Sequence, residues 1–553
     1  MKVLLNIADV LVEAGHDVTT LMIQQDPKLA NLTTLSKIIH VEGEPEALRQ
    51  QGQTTMDATD VFATNRKGIL FALGAAPGQA DVFAAQCRKT IRTPGLIEQL
   101  QEQHYDVYIA EAFDFCGIGL SHAIAPKAFI TASTTTLLES AAIDLGVPVM
   151  ASYYPEFSGM QHHSFWDRVK NLDWFVGSTW FFYVYQYYCE GVFREVYGPE
   201  YPSFSALIAD SAFHLTDSEP LLDFARPTLR KVIAIGGLGA KEPQPLTKEW
   251  NDTLSIRTRN VLISFGSIVK SANMKIAYKR AILKAVSRFP DVTFIWKYEN
   301  LTDSFVVNET AVVPNIVIAS WIPQNDLLAD PRVVGFVSHA GMASTQELAA
   351  RGVPALLVPL YGDQQKNAAM LENLGMAVVF EKSDIGNVDK LVECLSKLLN
   401  TESLREAAQR VSRVLRARPH APRDELVRHV ELAAEFGALP NLKPRGLELS
   451  FISYFFVDLI FVVVLLLAFV VYLSLIATRV VAKTFFSGQD YSLAVITDAT
   501  GYADAYNCLK TQQQVETIFI PISDAADGGN PYAMVANNII VASNCPSSVF
   551  LPT

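Results

Sequence analysis

The chain has 553 residues, half of them hydrophobic, which allows a sizeable core and excludes a wholly disordered protein. Charge is 45 Lys+Arg against 57 Asp+Glu, a net of -12, so no basic footprint exists for DNA or RNA and no nucleic-acid partner is expected. Six cysteines are scattered with no Cys-x-x-Cys and no close His, which argues against a zinc module and a disulfide-stapled scaffold.

In chain order, Val3–Ala14 has helical apolar spacing and Gly15 as a stop, and His16–Ile23 reads as a strand. Tyr105–Glu111 and Ala128–Ala132 are further buried strands. Residues 151–200 are aromatic-rich and irregular, either core packing, a helical lid or an apolar acceptor pocket. Gly236–Trp250 reads as a linker. A second alternation follows, with strands at Asn260–Ser264, Thr293–Lys297, Ile316–Ala319, Val333–Ser338 and Ala355–Pro359. Short apolar strands alternating with helices predict α/β architecture, with two parallel-sheet domains in tandem and a site in the cleft between them. Leu459–Thr478 is an uncharged run of 20 residues, long enough to span a bilayer as a helix. Arg479 and Lys483 follow it, which places the tail in the cytosol and the larger part in a lumen or outside. The Asn-x-Ser/Thr sites at Asn31, Asn251, Asn300 and Asn308 lie on that larger side.

The segment Trp321–Gln364 carries the chemistry. A strand ends at His339, Gly341 opens a turn, and Ser344 and Thr345 begin a helix, so free amides and the positive end of the helix dipole form an anion site. His339 and Ser344 add donors for phosphate. Glu347, one turn in, can accept from the two hydroxyls of a ribose. Trp321 offers a flat face for a base, and Asp363 and Gln364 can hold a sugar ring. Alone, each has an ordinary structural reading: core for Trp321, helix cap for Ser267, solvated face for Glu347, turn for Asp363. Together they describe a nucleotide-sugar site. No Asp-x-Asp motif lies in this region, and no metal is expected.

The segment closely resembles the signature of the UDP-glycosyltransferase family (UDP-glucuronosyltransferase-like, membrane-anchored animal branch): its Trp, Pro-Gln, His-x-Gly, Ser-Thr-x-Glu and Gly-Asp-Gln. Ala340 departs from the family's Gly or Cys. Leu221–Gly239, Ser264–Ser267 and Arg418–Asn441 also resemble the family's domain end, phosphate loop and crossing helix. The resemblance covers roughly residues 1–483 and implies a GT-B fold, two Rossmann-like domains facing a cleft. Residues 1–240 would bind the acceptor and 258–417 the UDP-sugar. Residues 418–445 would form a crossing helix back to the first domain, 459–478 a single-pass transmembrane helix and 485–553 an unassigned tail. It implies an inverting, metal-independent hexosyl transfer, from UDP-glucose or UDP-glucuronate, to a small lipophilic acceptor. The UDP-sugar is a co-substrate and there is no cofactor. Placement is the endoplasmic reticulum membrane, with homo- or hetero-oligomers of relatives as further partners.

By resemblance, Trp321 stacks on uracil, Gln324 contacts base or ribose, and Glu347 binds ribose. Ser267, His339, Gly341 and Ser344 serve the diphosphate, and Asp363 and Gln364 the donor sugar. The family's base is a His in a Gly-His-x-His loop after the first strand, oriented by an acid that corresponds to Glu111, with Asp114 as the less favoured substitute. That loop, the first strand and a signal peptide are not visible, and His16 is a turn residue rather than the base. Two readings stay open. The sequence is the downstream piece of a working enzyme, or the protein is a catalytically inactive UDP-sugar binder that partners with active relatives. A glycolipid-synthesising transferase is a third.

Overall fold

Long stretches of Val, Ile, Leu and Phe, apolar on both faces, drive this chain into parallel sheets covered by helices. The computed structural model describes residues 2–23, 33–45, 61–62, 68–159, 164–240, 242–267, 269–486, 492–493 and 540–541. Asn31 and Ile518–Ile522 lie outside them.

Strands β1 (Thr19–Ile23) and β2 (Lys37–Val41) pair in parallel. A four-stranded parallel sheet runs β3 (Val107–Glu111), β4 (Ala128–Ser133), β5 (Phe213–Thr216), β6 (Val232–Ala234). A six-stranded parallel sheet contains β7 (Arg259–Ser264), β8 (Val292–Lys297), β9 (Ile316–Ala319), β10 (Val333–Ser338), β11 (Ala355–Leu357) and β12 (Ala377–Val379). Its order is β12-β11-β10-β7-β8-β9. Among the described residues no strand joins β1 to β3, so the first two sheets are separate.

The helices that matter here are α1 (Lys2–Glu13), α2 (Gly68–Ile91), α3 (Phe115–Ile124), α4 (Phe165–Tyr197), α5 (Gln324–Leu328), α6 (Met342–Arg351), α7 (Gln364–Asn373), α8 (Pro422–Phe436) and α9 (Val457–Phe486). Helix α8 buries Leu426, Val430 and Ala433 against Ile130, Phe213 and Leu215 of the four-stranded sheet and against Ile7 and Leu11 of α1. A segment far along the chain thus completes the core around the second sheet. Val61 and Phe62 do the reverse. Phe62 is fully buried in the core of the six-stranded sheet, edge-on to Phe265 with centroids 5.5 Å apart.

Three sequence expectations need correction. Residues 151–200 are not irregular, because α4 occupies 33 of them, capped by the Ser164 hydroxyl, which accepts from Asp167 N–H. Its Trp and Tyr content hides a helical period, since aromatic residues lie on every face. A disulfide joins Cys87 to Cys116 across α2 and the start of α3, with Cα atoms 5.4 Å apart. Proximity of these two thiols arises from tertiary packing, invisible in spacing 29 residues apart. The stretch read as a linker ends in a helix, Lys248–Leu254.

Residues 448–553 form a separate unit. Its α9 contains the uncharged run 459–478 and is exposed along its described length. Helix α9 is long and apolar enough to cross a membrane. Helix α2 passes the same length test, but it packs on α4 and buries Ala72, Ala76, Ala80 and Ala84, as a core helix does. In the tail, Ser492–Leu493 pairs antiparallel with Ile540–Val541.

The two larger sheets meet at Gln346. Its Nε2 donates to the main-chain oxygen (2.7 Å) and Oδ1 (2.9 Å) of Asp217, just beyond β5, and its Oε1 accepts from Gly237 N–H at 3.0 Å. Burial pushes the Asp217 carboxyl up to about 7; the Gln346 donor opposes this, and the charges of Glu111 and Asp363 add to it. The folded protein therefore holds a proton here that the unfolded chain releases near 3.8.

That proton predicts a pH dependence. The contribution of Asp217 is present below its unfolded pKa and is lost as pH rises towards about 7. At three pKa steps it amounts to about 4 kcal/mol at most. In thermal melts of detergent-solubilised protein between pH 4.5 and 8, Asp217→Asn is expected to flatten the decline. An unchanged slope contradicts the assignment. A second prediction concerns Ala340, which has φ 62° between β10 and α6. An L-residue in this left-handed conformation costs about 1 kcal/mol, so Ala340→Gly should leave the protein as stable or raise its melting temperature by a few degrees. A clear loss of stability argues against this turn geometry.

Candidate nucleotide-sugar site

Strand β10 ends at Ser338, and His339-Ala340-Gly341 turns the chain into α6. Gly341 is the N-cap and no side chain caps the helix. The first amides of α6 consequently lack intrahelical acceptors and converge with the positive end of the helix dipole. An anion is the natural complement of such a terminus.

His339 is clasped between two glycines. A Cβ on Gly266 or on Gly341 would lie 2.6 Å from its Nε2, so no larger residue fits at either position without displacing the ring. Gly266 also has φ 90°, which a side chain would strain. Burial lowers the imidazole to about 4, and the Lys297 charge adds to this. At neutral pH His339 is therefore uncharged. It can donate one hydrogen bond to a phosphate but cannot neutralise it. Its buried Nδ1 has no protein partner. The adjoining Ser267 is exposed on the turn after β7.

Gln324, at the start of α5, gathers two of the other expected residues. Its Nε2 donates to Ser344 Oγ at 3.1 Å and to Glu347 Oε2 at 2.6 Å. Ser344 and Glu347 are nearly buried, one turn apart on α6. Trp321 is 69% exposed, two residues past β9, with its ring open to a planar ligand. Lys297 Nζ lies 5.2 Å from the centre of that ring and donates to Gly266 O at 2.6 Å. Lys297 thus links the Trp321 side of the site to the glycine turn, and it was missed in the sequence. The signal was a lysine at the carboxyl end of an apolar strand, where ligands of parallel sheets bind.

Asp363 is the N-cap residue of α7, and its carboxylate accepts from Asn367 Nδ2 at 2.8 Å. The same Asn367 donates to Ala340 O at 3.0 Å, tying α7 to the glycine turn. Burial raises the Asp363 carboxyl. Gln364 turns its Oε1 back onto the amides of Leu360 (2.9 Å) and Tyr361 (3.2 Å), so that oxygen fixes the preceding loop.

Glu111 ends β3, where both carboxylate oxygens accept from Thr134 N–H at 3.2 Å. Burial pushes it up to about 7, with the Thr134 bond opposing. Asp114 caps α3 through Cys116 N–H at 3.2 Å, a structural role. His16 lies 3.3 Å from Glu431 of α8, remote in role from Glu111. Among the described residues no histidine is paired with Glu111. The charges of Glu111 and Asp363 both act on Asp217, which brings the end of β3 and the start of α7 near the end of β5.

Comparison with known proteins gives the family and the fold. The chain is similar to putative UDP-glucuronosyltransferase ugt-48 of Caenorhabditis elegans, at 27% identity over 82% of this chain and 87% of that protein. It is also similar to UDP-glucuronosyltransferase 1A7 of Mus musculus, at 26% identity over 84% of this chain and 87% of that protein. Its fold matches the crystal structure of Os79 from O. sativa in complex with UDP, with a TM-score of 0.53, 15% identity, and coverage of 78% of this chain and 97% of that one. The glycotransferase of kitacinnamycin matches with a TM-score of 0.51, 17% identity, and coverage of 78% and 94%. The fold is GT-B. The profile described as UDP-glucoronosyl and UDP-glucosyl transferase matches residues 2–490, and the chain belongs to that family: it is a UDP-glycosyltransferase, which transfers sugar from a UDP-sugar.

Proposed function

We propose that the protein transfers a hexosyl group, glucose or glucuronate, to the hydroxyl of a small lipophilic acceptor, with inversion and without a metal. The observation that carries this reading is the Gln324–Ser344–Glu347 cluster beside the uncapped start of α6. Trp321 stacks on uracil, Gln324 and Glu347 hold the ribose, and the α6 amides, His339 and Ser267 hold the diphosphate. Lys297 supplies the positive charge that neutral His339 does not. Asp363 and Gln364 orient the sugar. Lys366, the buried cation on the same helix, is already engaged by Tyr154, Thr136 and Asp223, which favours uncharged glucose over glucuronate.

Glu111 is assigned as the general base. It accepts the acceptor's hydroxyl proton as that oxygen bonds to the anomeric carbon and the carbon–phosphate oxygen bond breaks, releasing UDP. A carboxyl near 7 is matched to this task at neutral pH. The acceptor is assigned to the side of the cleft formed by α2, α3 and α4. The apolar side chains of Ile23, Phe83, Phe113 and Tyr185 come together there around a small void. The Cys87–Cys116 disulfide and the exposed Asn251, Asn300 and Asn308 support a luminal catalytic part anchored by α9. A second reading, a catalytically inactive binder, draws on the lack of a histidine partner for Glu111 among the described residues.

Turnover of UDP-glucose and UDP-glucuronate with a phenol separates the readings. The wild type is expected to release UDP, with kcat/KM rising with pH to a plateau above about 7. Glu111→Gln should lose about 100-fold or more in kcat while UDP binding stays intact. UDP binding without turnover at any pH supports the inactive binder.

A further inference from the structure

Val61 and Phe62 fall between β2 and α2 in sequence, yet both are built into the half of the molecule that carries the UDP-sugar residues. Phe62 is fully buried in the core of the six-stranded sheet. Its ring meets Phe265 nearly at a right angle, with centroids 5.5 Å apart, the edge-to-face arrangement that aromatic pairs favour. The main chain is held as well. Val61 O accepts from Lys382 Nζ at 2.9 Å, across 321 residues of sequence. Lys382 is buried, and its Nζ also donates to Leu360 O at 2.6 Å.

Both anchor points lead into loops already assigned to the donor. Phe265 opens the turn after β7, and Gly266 and Ser267 follow it. Gly266 has φ 90° and lies so close to His339 that a Cβ there would be 2.6 Å from Nε2. Gly266 O accepts from Lys297 Nζ at 2.6 Å. A shift of Phe265 is therefore passed on to His339 and to Lys297, because packing this dense does not compress. On the other side, Leu360 N–H donates to Gln364 Oε1 at 2.9 Å, so the oxygen that shares Lys382 with Val61 belongs to the loop ahead of Asp363 and Gln364. The ribose residues are fixed differently: Gln324 and Glu347 hold one another at 2.6 Å.

We propose that Phe62 is a positioning residue for the donor diphosphate. Packed against Phe265, it sets the Gly266–Ser267 turn, and with it His339 and Lys297, at the spacing that two phosphoryl groups require. The Lys382 bond to Val61 keeps the ring in register. The inference rests on the assignment of the diphosphate to this turn and to the start of α6. Donors ordered in this way lose little on binding, since their position is fixed during folding. Removing the ring leaves a void beside Phe265, and the surrounding chain relaxes partway into it. The turn then departs from the geometry of the diphosphate while the ribose contacts stay in place. A segment from the first 240 residues thereby governs affinity for the nucleotide in the second half.

The test compares UDP with uridine, because loss of a merely structural core residue would not separate the two. Full-length protein in detergent is titrated calorimetrically with each ligand. Phe62→Ala is expected to weaken UDP about tenfold and uridine less than about twofold. Phe62→Leu, which refills most of the volume, should recover UDP affinity to within about threefold of the wild type. Leu395→Ala makes a comparable void in the same core, on the helix Val388–Asn400, and serves as the control. It should lower the melting temperature by several degrees and leave UDP affinity within about twofold. Unchanged UDP affinity in Phe62→Ala, an equal loss for uridine and UDP, or the same selective loss in Leu395→Ala overturns the proposal. Should Phe62→Ala fail to fold, Phe62→Val takes its place, with about threefold expected for UDP and an unchanged value for uridine; equal changes for the two ligands overturn the proposal there too. A wild type that binds UDP no better than uridine contradicts the diphosphate assignment itself and removes the basis of the inference, whereas a wild type that prefers UDP with Phe62 variants that keep this preference contradicts the inference alone.

Discussion

The arrangement depends on one ten-residue helix, α6, that is engaged on every side. Its first turn is left uncapped beside the His339 turn. Ser344 and Glu347 share Gln324. Gln346, between them in sequence, points across the cleft to Asp217 and Gly237. Leu348 and Ala349 are fully buried in the core under the six-stranded sheet. A helix so anchored cannot shift to suit a ligand, so the positions of its free amides are set before any ligand arrives. Preorganised donors of this kind lose little on binding, because their ordering cost was met during folding.

The glycines on either side of His339 extend the same constraint. They leave room for the imidazole between the turn after β7 and the start of α6, and its burial keeps it uncharged. Positive charge in the site therefore comes from the helix terminus and from Lys297. The opposite wall is acidic. Glu111, Asp217 and Asp363 are each raised by burial, and at Asp217 the charges of the other two add to it. A cleft with a cationic floor and a carboxyl-lined roof suits a reaction in which a proton leaves one partner as a diphosphate leaves the other.

How much of this was legible depended on whether a feature is local. Trp321 to Gln364 could be read because a strand, a turn and a helix bring close residues together within one contiguous segment. The parallel strands β7 to β11 were legible for the same reason. By contrast, β5 is short and carries His214 and Thr216, so it lacks the apolar run that marks a buried strand, and β6 is only three residues long. Helix α4 was obscured by aromatic residues on all faces. The Cys87–Cys116 pairing, the Gln346–Asp217 bridge and the Lys366–Tyr154 contact join segments 29, 129 and 212 residues apart, and no periodicity encodes them. Ala340 illustrates a different limit. Its departure from the family's Gly or Cys was visible, but the left-handed backbone that gives it meaning was not.

The central claim is that the free amides of α6 hold a diphosphate. Calorimetric titration of the solubilised protein with uridine, uridine monophosphate and uridine diphosphate tests it most directly. The account predicts affinity rising about tenfold or more from the nucleoside to the diphosphate, and weakening with added salt. Equal affinity for all three, or no heat with the diphosphate, contradicts it.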